Sequence, residues 1–157
     1  MKKNLIAILC FFLLGNLSLN AQDHNRMDDK GRRQGLWMDF YPNGQKRYEG
    51  HFKDDKCQGT FTYYDENGDL KATNTFDKTG TKALNKLYAP NGTMIATGYY
   101  LNQEKEGEWH IYYPSGALRE EGQFHNNKKT GIWKTYNEDG DVISIENYSA
   151  PDLKGFD

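Results

Sequence analysis

The sequence predicts an all-β fold, a single-layer antiparallel meander of five tandem 24-residue β-hairpin repeats, and three periodic rows of residues predict it. Glycine recurs at Gly44, Gly68, Gly92, Gly116 and Gly140. An aromatic recurs at Phe40, Tyr64, Tyr88, Tyr112 and Tyr136, and a second one at Phe52, Phe76, Tyr100, Phe124 and Tyr148. All three rows are filled without a gap in windows 35–58, 59–82, 83–106, 107–130 and 131–154. Two more rows are nearly complete: Trp37, Phe61, Trp109 and Trp133, broken by Asn85, and the opening glycines 35, 59, 107 and 131, broken by Ala83. The third repeat is the degenerate one.

Within each window two β-prone runs flank YPNG, DENG, APNG, YPSG or NEDG, the punctuation of a hairpin. A two-residue type I′ loop needs positive φ at both central residues, which suits Ser115 badly. Pro42, Pro90 and Pro114 instead suit position i+1 of a type I turn followed by a left-handed glycine, a three-residue loop. Such a loop pairs residue 40 with 46 and 38 with 48. The 40 row then shares a face with Leu70, Met94, Leu118 and Val142, so aromatic meets aliphatic across the strands. By the same parity the row of Phe52 joins that face and the row of Trp37 points the other way.

The ends differ from the repeats. Lys2 and Lys3, an apolar run from Leu5 to Leu14 and the small residue Ala21 have the layout of a secretory signal peptide, residues 1–21, cleaved after Ala21. The run is short of the roughly 20 apolar residues a membrane-spanning helix needs, so no integral membrane segment is expected in the mature chain. Residues 22–34 are expected to form a mobile polar lead-in, and residues 155–157 begin a truncated sixth repeat. Export would make the protein periplasmic or secreted.

Without Lys2 and Lys3 the mature chain holds 18 basic against 22 acidic residues, a net charge of −4, which disfavours nucleic acid. Cys57 is the only mature cysteine, so no internal disulfide supports the fold. Nucleophilic catalysis has no candidate. His24, His51, His110 and His125 lack metal-ligand spacing, no nucleophile elbow surrounds Ser115, Ser144 or Ser149, and Cys57 lies in an acidic loop that raises its pKa. Asp65, Asp69, Asp139 and Asp141 flank turns, where Asp bonds its own backbone. No catalytic residue, metal site or cofactor is expected, and the chain reads as a binding protein.

The unit GxWxxYxxNGxLxxEGxF, clearest at 107–124, resembles the MORN-repeat variant of many bacterial proteins. The resemblance covers residues 35–154 and implies a single-sheet repeat scaffold with no catalytic residues. Chains of this pattern are often classed with YwqK-type antitoxin components, which implies binding and neutralising a toxic partner, here as an immunity-like protein outside the cytoplasm. Ala83 and Asn85 depart from the pattern, so the third repeat is expected to act as a joint.

Two ligand classes stay open, a protein partner and an envelope polysaccharide. The expected contact surface for either is the row of Trp37, Phe61, Trp109 and Trp133, because its neighbours, such as Asp39 and Arg47, are charged or small. The row of Phe40, Tyr64, Tyr88, Tyr112 and Tyr136 is expected to hold the sheet together.

Overall fold

A computed structural model describes residues 24–148. The signal peptide and the start of a sixth repeat lie outside the described residues, as does the end of the fifth repeat. The described chain forms one sheet in strict sequence order: β1 (Arg26–Met27), β2 (Arg33–Phe40), β3 (Lys46–Lys53), β4 (Lys56–Tyr64), β5 (Leu70–Phe76), β6 (Lys82–Tyr88), β7 (Met94–Leu101), β8 (Glu104–Tyr112), β9 (Leu118–His125), β10 (Lys128–Tyr136) and β11 (Val142–Tyr148). Every pairing between these strands is antiparallel, and an isolated parallel bridge joins His24 to Leu36. Among the described residues there is no helix.

Each hairpin turns as expected. In the first, Gly44 N–H donates to Tyr41 C=O at 2.9 Å, and Tyr41 N–H donates to Gln45 C=O at 2.8 Å, enclosing the three-residue loop 42–44. The five turn glycines, Gly44, Gly68, Gly92, Gly116 and Gly140, have φ of 84°, 90°, 82°, 91° and 91°, the left-handed region that a residue with a Cβ enters only under strain. Asp65 and Asn137 complete their turns by accepting backbone N–H bonds on the side-chain oxygen.

The ladder beyond the turn corrects the expected faces. Phe40 pairs with Lys46 as anticipated, but Asp39 pairs with Tyr48, leaving Arg47 as an extra residue in a bulge. The same shift recurs at Lys71, Ile95, Arg119 and Ile143, as between Tyr63↔Ala72 and Tyr64↔Leu70. One added residue inverts the parity of everything after it. Gly35 therefore pairs with Phe52 and Trp37 with Gly50, so the Phe52 row lies on the Trp37 face, not on the Phe40 face.

A second irregularity sits in the connections between hairpins. Asp54–Asp55, Asn102–Gln103 and Asn126–Asn127 all have positive φ at both residues, two-residue type I′ turns built from side chains that tolerate it. Each is followed by a bulge at Gly59, Gly107 or Gly131, also at positive φ. The third repeat solves the same problem differently. Between β5 and β6 the register runs unbroken from Ala72↔Leu87 to Phe76↔Ala83, and the connection is longer, closed by Asp77 N–H to Lys82 C=O. Ala83 stands where the others need a left-handed glycine because no bulge occurs there. The expected joint is thus a continuous stretch of sheet.

The polar lead-in is also part of the sheet. Residues 26–27 pair with Arg33 and Gln34, adding an eleventh strand to the ten that five hairpins supply. Arg32 clamps the turn by donating to Asp28 at 2.8 and 2.6 Å, and it also pairs with Asp54 of the next connection at 2.8 Å. The Arg32 guanidinium, with backbone N–H bonds from Arg32 and Lys30, lowers the Asp28 carboxyl to about 2. A depressed carboxyl contributes stability above its unfolded value and loses it as pH falls through the folded one. Thermal melting followed from about pH 4 towards about pH 2 should therefore show an acid loss of stability that Asp28→Asn reduces; an unchanged slope would show the clamp contributes nothing.

Candidate functional site

The face shared by the Trp37 and Phe52 rows carries the core. Rings alternate strand by strand in edge-to-face contact: Trp37 to Phe52 at 5.9 Å, Phe52 to Phe61 at 5.0 Å and Phe61 to Phe76 at 5.3 Å. The series resumes at Tyr100, with Trp109 at 5.3 Å, Phe124 a further 5.8 Å on and Trp133 5.0 Å beyond that. Edge-to-face contact suits the ring quadrupole and closes the side of each ring to water. Trp109 is 1% exposed, Phe61 2% and Trp133 3%.

These numbers correct the assignment of the contact surface. Phe61, Trp109 and Trp133 are core residues and offer no ring face to a partner; Trp37, half-buried, begins the same ladder at its β2 end. The row expected to form the core is the more exposed, with Phe40 at 47% and Tyr64, Tyr88, Tyr112 and Tyr136 half-buried. The physical cause is the bulge in each hairpin, which moves two aromatic rows onto one face. Tyr64 and Tyr136 instead donate hydroxyl hydrogen bonds to Glu49 at 2.9 Å and Glu121 at 2.6 Å. Glu49 also accepts from Lys46 at 2.7 Å, and the Lys46 bond followed by the Tyr64 bond pulls its carboxyl down.

What lies beneath and above the ladder explains its burial. Phe61 rests on Gly50, Trp109 on Gly98 and Trp133 on Gly122, so closely that a Cβ at any of these glycines would fall well under 3.0 Å from the ring. The indole N–H groups of Trp109 and Trp133 are satisfied by the Tyr99 and Gln123 carbonyls, each at 3.1 Å. Cations cover the top. Arg33 lies 3.9 Å from the Phe52 centroid, Lys105 4.5 Å from Trp109, and Lys129 4.1 Å from Trp133, their stems spread over the rings.

The third repeat breaks the ladder in three coordinated ways. Asn85 replaces the ring, Asn74 replaces the glycine beneath it, and Cys57 and Thr81 stand in the two periodic positions held by Arg33, Lys105 and Lys129 elsewhere. The result is an open hollow of about 720 Å³, walled by Phe61, Phe76 and Tyr100 and floored by Asn74 and Asn85. Asn85 is 4% exposed; its Nδ2 donates to Asn74 Oδ1 at 2.7 Å, while its Oδ1 has no partner. Burial raises the Tyr63 hydroxyl and the Cys57 thiol at the margin of the hollow. For Cys57 the direction matches the sequence expectation, but the cause is desolvation and not an acidic loop.

Asn74 and the glycine row were legible in the sequence, since Gly50, Gly98 and Gly122 recur at the repeat spacing, each eleven residues before a ring. Only the spatial stacking of one row on the other gives that spacing a meaning. Among the described residues no group of three or more His, Cys, Asp or Glu side chains converges as a metal site.

An uninterrupted antiparallel sheet of hairpin repeats, held by one internal ladder of rings, defines a β-repeat scaffold. The chain belongs to the MORN repeat variant family, which matches residues 33–54, 58–78, 105–126 and 129–150 and passes over the degenerate third repeat. No curated protein matches the sequence. Among solved structures it is similar to one titled "Crystal Structure of TarM", with 12% identity over 56% of this chain and 17% of that one and a TM-score of 0.42.

Two substitutions separate the faces. Trp109→Ala should destabilise the fold by about 3–5 kcal/mol, as loss of a large core ring does, whereas Tyr112→Ala should cost about 1 kcal/mol. Gly122→Ala, which drives a methyl group into Trp133, should cost about 3 kcal/mol. Urea unfolding of the purified variants measures all three, and a Tyr112 variant less stable than the Trp109 variant would reverse the assignment.

Proposed function

We propose that this chain is an exported, non-enzymatic repeat scaffold that binds a protein partner outside the cytoplasm, in the manner of an antitoxin or immunity protein. The observation that carries the reading is the apolar surface at the β10–β11 end. Ile132, Val142 and Ile145 are 59%, 49% and 64% exposed, and the pairings Ile132↔Asn147, Lys134↔Ile145 and Tyr136↔Val142 place all three on one face. Branched aliphatics clustered on a polar protein favour contact with another protein. A glycan ligand would need open aromatic faces, and the ladder uses its own faces internally.

Family membership supports the scaffold role, because the repeats supply shape and no reactive constellation. The Lys2–Ala21 segment supports export.

Cross-linking in intact cells tests the partner. One protein should be recovered repeatedly, and Ile132→Lys with Ile145→Lys should reduce its recovery about tenfold, the equivalent of 1.4 kcal/mol, without lowering the melting temperature. Retention on cell-wall glycans with no protein captured would overturn the reading. Export is tested separately by N-terminal sequencing of envelope material, expected to begin at Gln22; an intact Met1 on cytoplasmic protein would refute it.

A further inference from the structure

We propose that the hollow of the third repeat is a receptor for a planar aromatic ring carrying an edge N–H or O–H donor, the side chain of a tryptophan or tyrosine presented by the protein partner. The inference rests on the protein-partner reading and adds the chemistry by which that partner is recognised.

A ring stands between two edge-on neighbours at each interior position of the ladder: Phe61 between Phe52 and Phe76, Trp109 between Tyr100 and Phe124. On β6 the neighbours Phe76 and Tyr100 are in place, on strands that pair through Ala83, but the residue between them is Asn85. Adjacent strands lie about 4.8 Å apart, so the slot has the width that admits one ring flanked edge-to-face. The slot is also open above, because Cys57 and Thr81 replace the cations that roof the other repeats.

The floor selects for polarity. Asn85 Nδ2 is held by Asn74 Oδ1 at 2.7 Å and lies 3.5 Å from Thr73 C=O, which fixes the amide's orientation and leaves Oδ1 as the orphan acceptor. A buried carbonyl oxygen left unpaired is unfavourable. An indole N–H or phenol O–H on the ring edge meets that need; a phenyl ring does not. The two tryptophans of the ladder already use this device, each donating its N–H to a carbonyl below the ring.

A side chain fits better than a saccharide. The places equivalent to this slot in the neighbouring repeats are each filled by a single side-chain ring set perpendicular to Phe76 or Tyr100. The longer connection at Lys78–Thr81 borders one side of the hollow, where a Cβ on Gly80 would lie 3.0 Å from Cys57 C=O.

Titration of the isotopically labelled protein with four probes tests the proposal by following the side-chain amide resonances of Asn74 and Asn85. N-acetyl-L-tryptophanamide should shift both and bind at least tenfold more tightly than N-acetyl-L-phenylalaninamide, which lacks the donor. It should also bind at least as tightly as free indole, and N-acetylglucosamine should leave both resonances in place. The double variant Asn74→Gly, Asn85→Trp restores the pattern of the other repeats; it should melt higher than the parent and lose the tryptophanamide shift. Preference for the sugar or for free indole, equal binding of the phenylalanine probe, no shift with any probe, or full binding by a folded double variant would each overturn the proposal. These titrations use the purified chain alone, so their failure is distinguishable from a failed cross-linking experiment, which bears on the partner and not on the hollow.

Discussion

The contact on which the sheet depends is an aromatic ring lying flat on a glycine of the strand before it. A single layer of β-sheet has no second layer to exclude water, and each hairpin alone is marginal. Setting Phe61, Trp109 and Trp133 directly on Gly50, Gly98 and Gly122 lets the rings sink low enough to touch their neighbours edge-on, with Lys105 and Lys129 over the two tryptophans. The core is thereby built on one face of one sheet. Stability of this kind is shared between adjacent repeats, since the Phe52–Phe61, Tyr100–Trp109 and Phe124–Trp133 contacts each cross a repeat boundary.

This dependence explains why the third repeat departs at several positions together. A ring at 85 would collide with the side chain of Asn74, and a glycine at 74 beneath Asn85 would leave an unfilled gap. Paired asparagines bonded to each other satisfy the floor without either. The longer Lys78–Thr81 connection, the absence of a bulge and Ala83 in place of a left-handed glycine form a second linked set, all three accommodating the same register. Repeat length is conserved because the residues removed from the bulge reappear in the loop. The hollow is what remains when the ring and the covering cations are withdrawn while the flanking repeats hold their geometry.

The scaffold therefore has two surfaces of different character. The ladder face is closed over most of its length and open in the middle, where its walls are aromatic and its floor polar. The opposite face is a mosaic of hydrogen-bonded tyrosine–glutamate pairs, such as Tyr136 with Glu121, that turns aliphatic towards β11. Shape is thus the distinguishing feature of the hollow, and exposed apolar area that of the sheet's β11 end.

Repeat length, hairpin order, turn type and the left-handed glycines were legible from the sequence alone, because each is a local matter of φ preference and short-range pairing. Gly116 after Pro114–Ser115 has one natural reading whatever surrounds it. Which face carries the core was decided only by the tertiary structure. A one-residue bulge at Arg47 and its equivalents has no strong local signature, since arginine, lysine and isoleucine all occupy it, yet it inverts the parity of every residue that follows. The same holds for the pairing of Asn74 with Asn85: eleven residues apart in the chain, they become one feature only when adjacent strands bring a side chain over the place where other repeats keep a glycine.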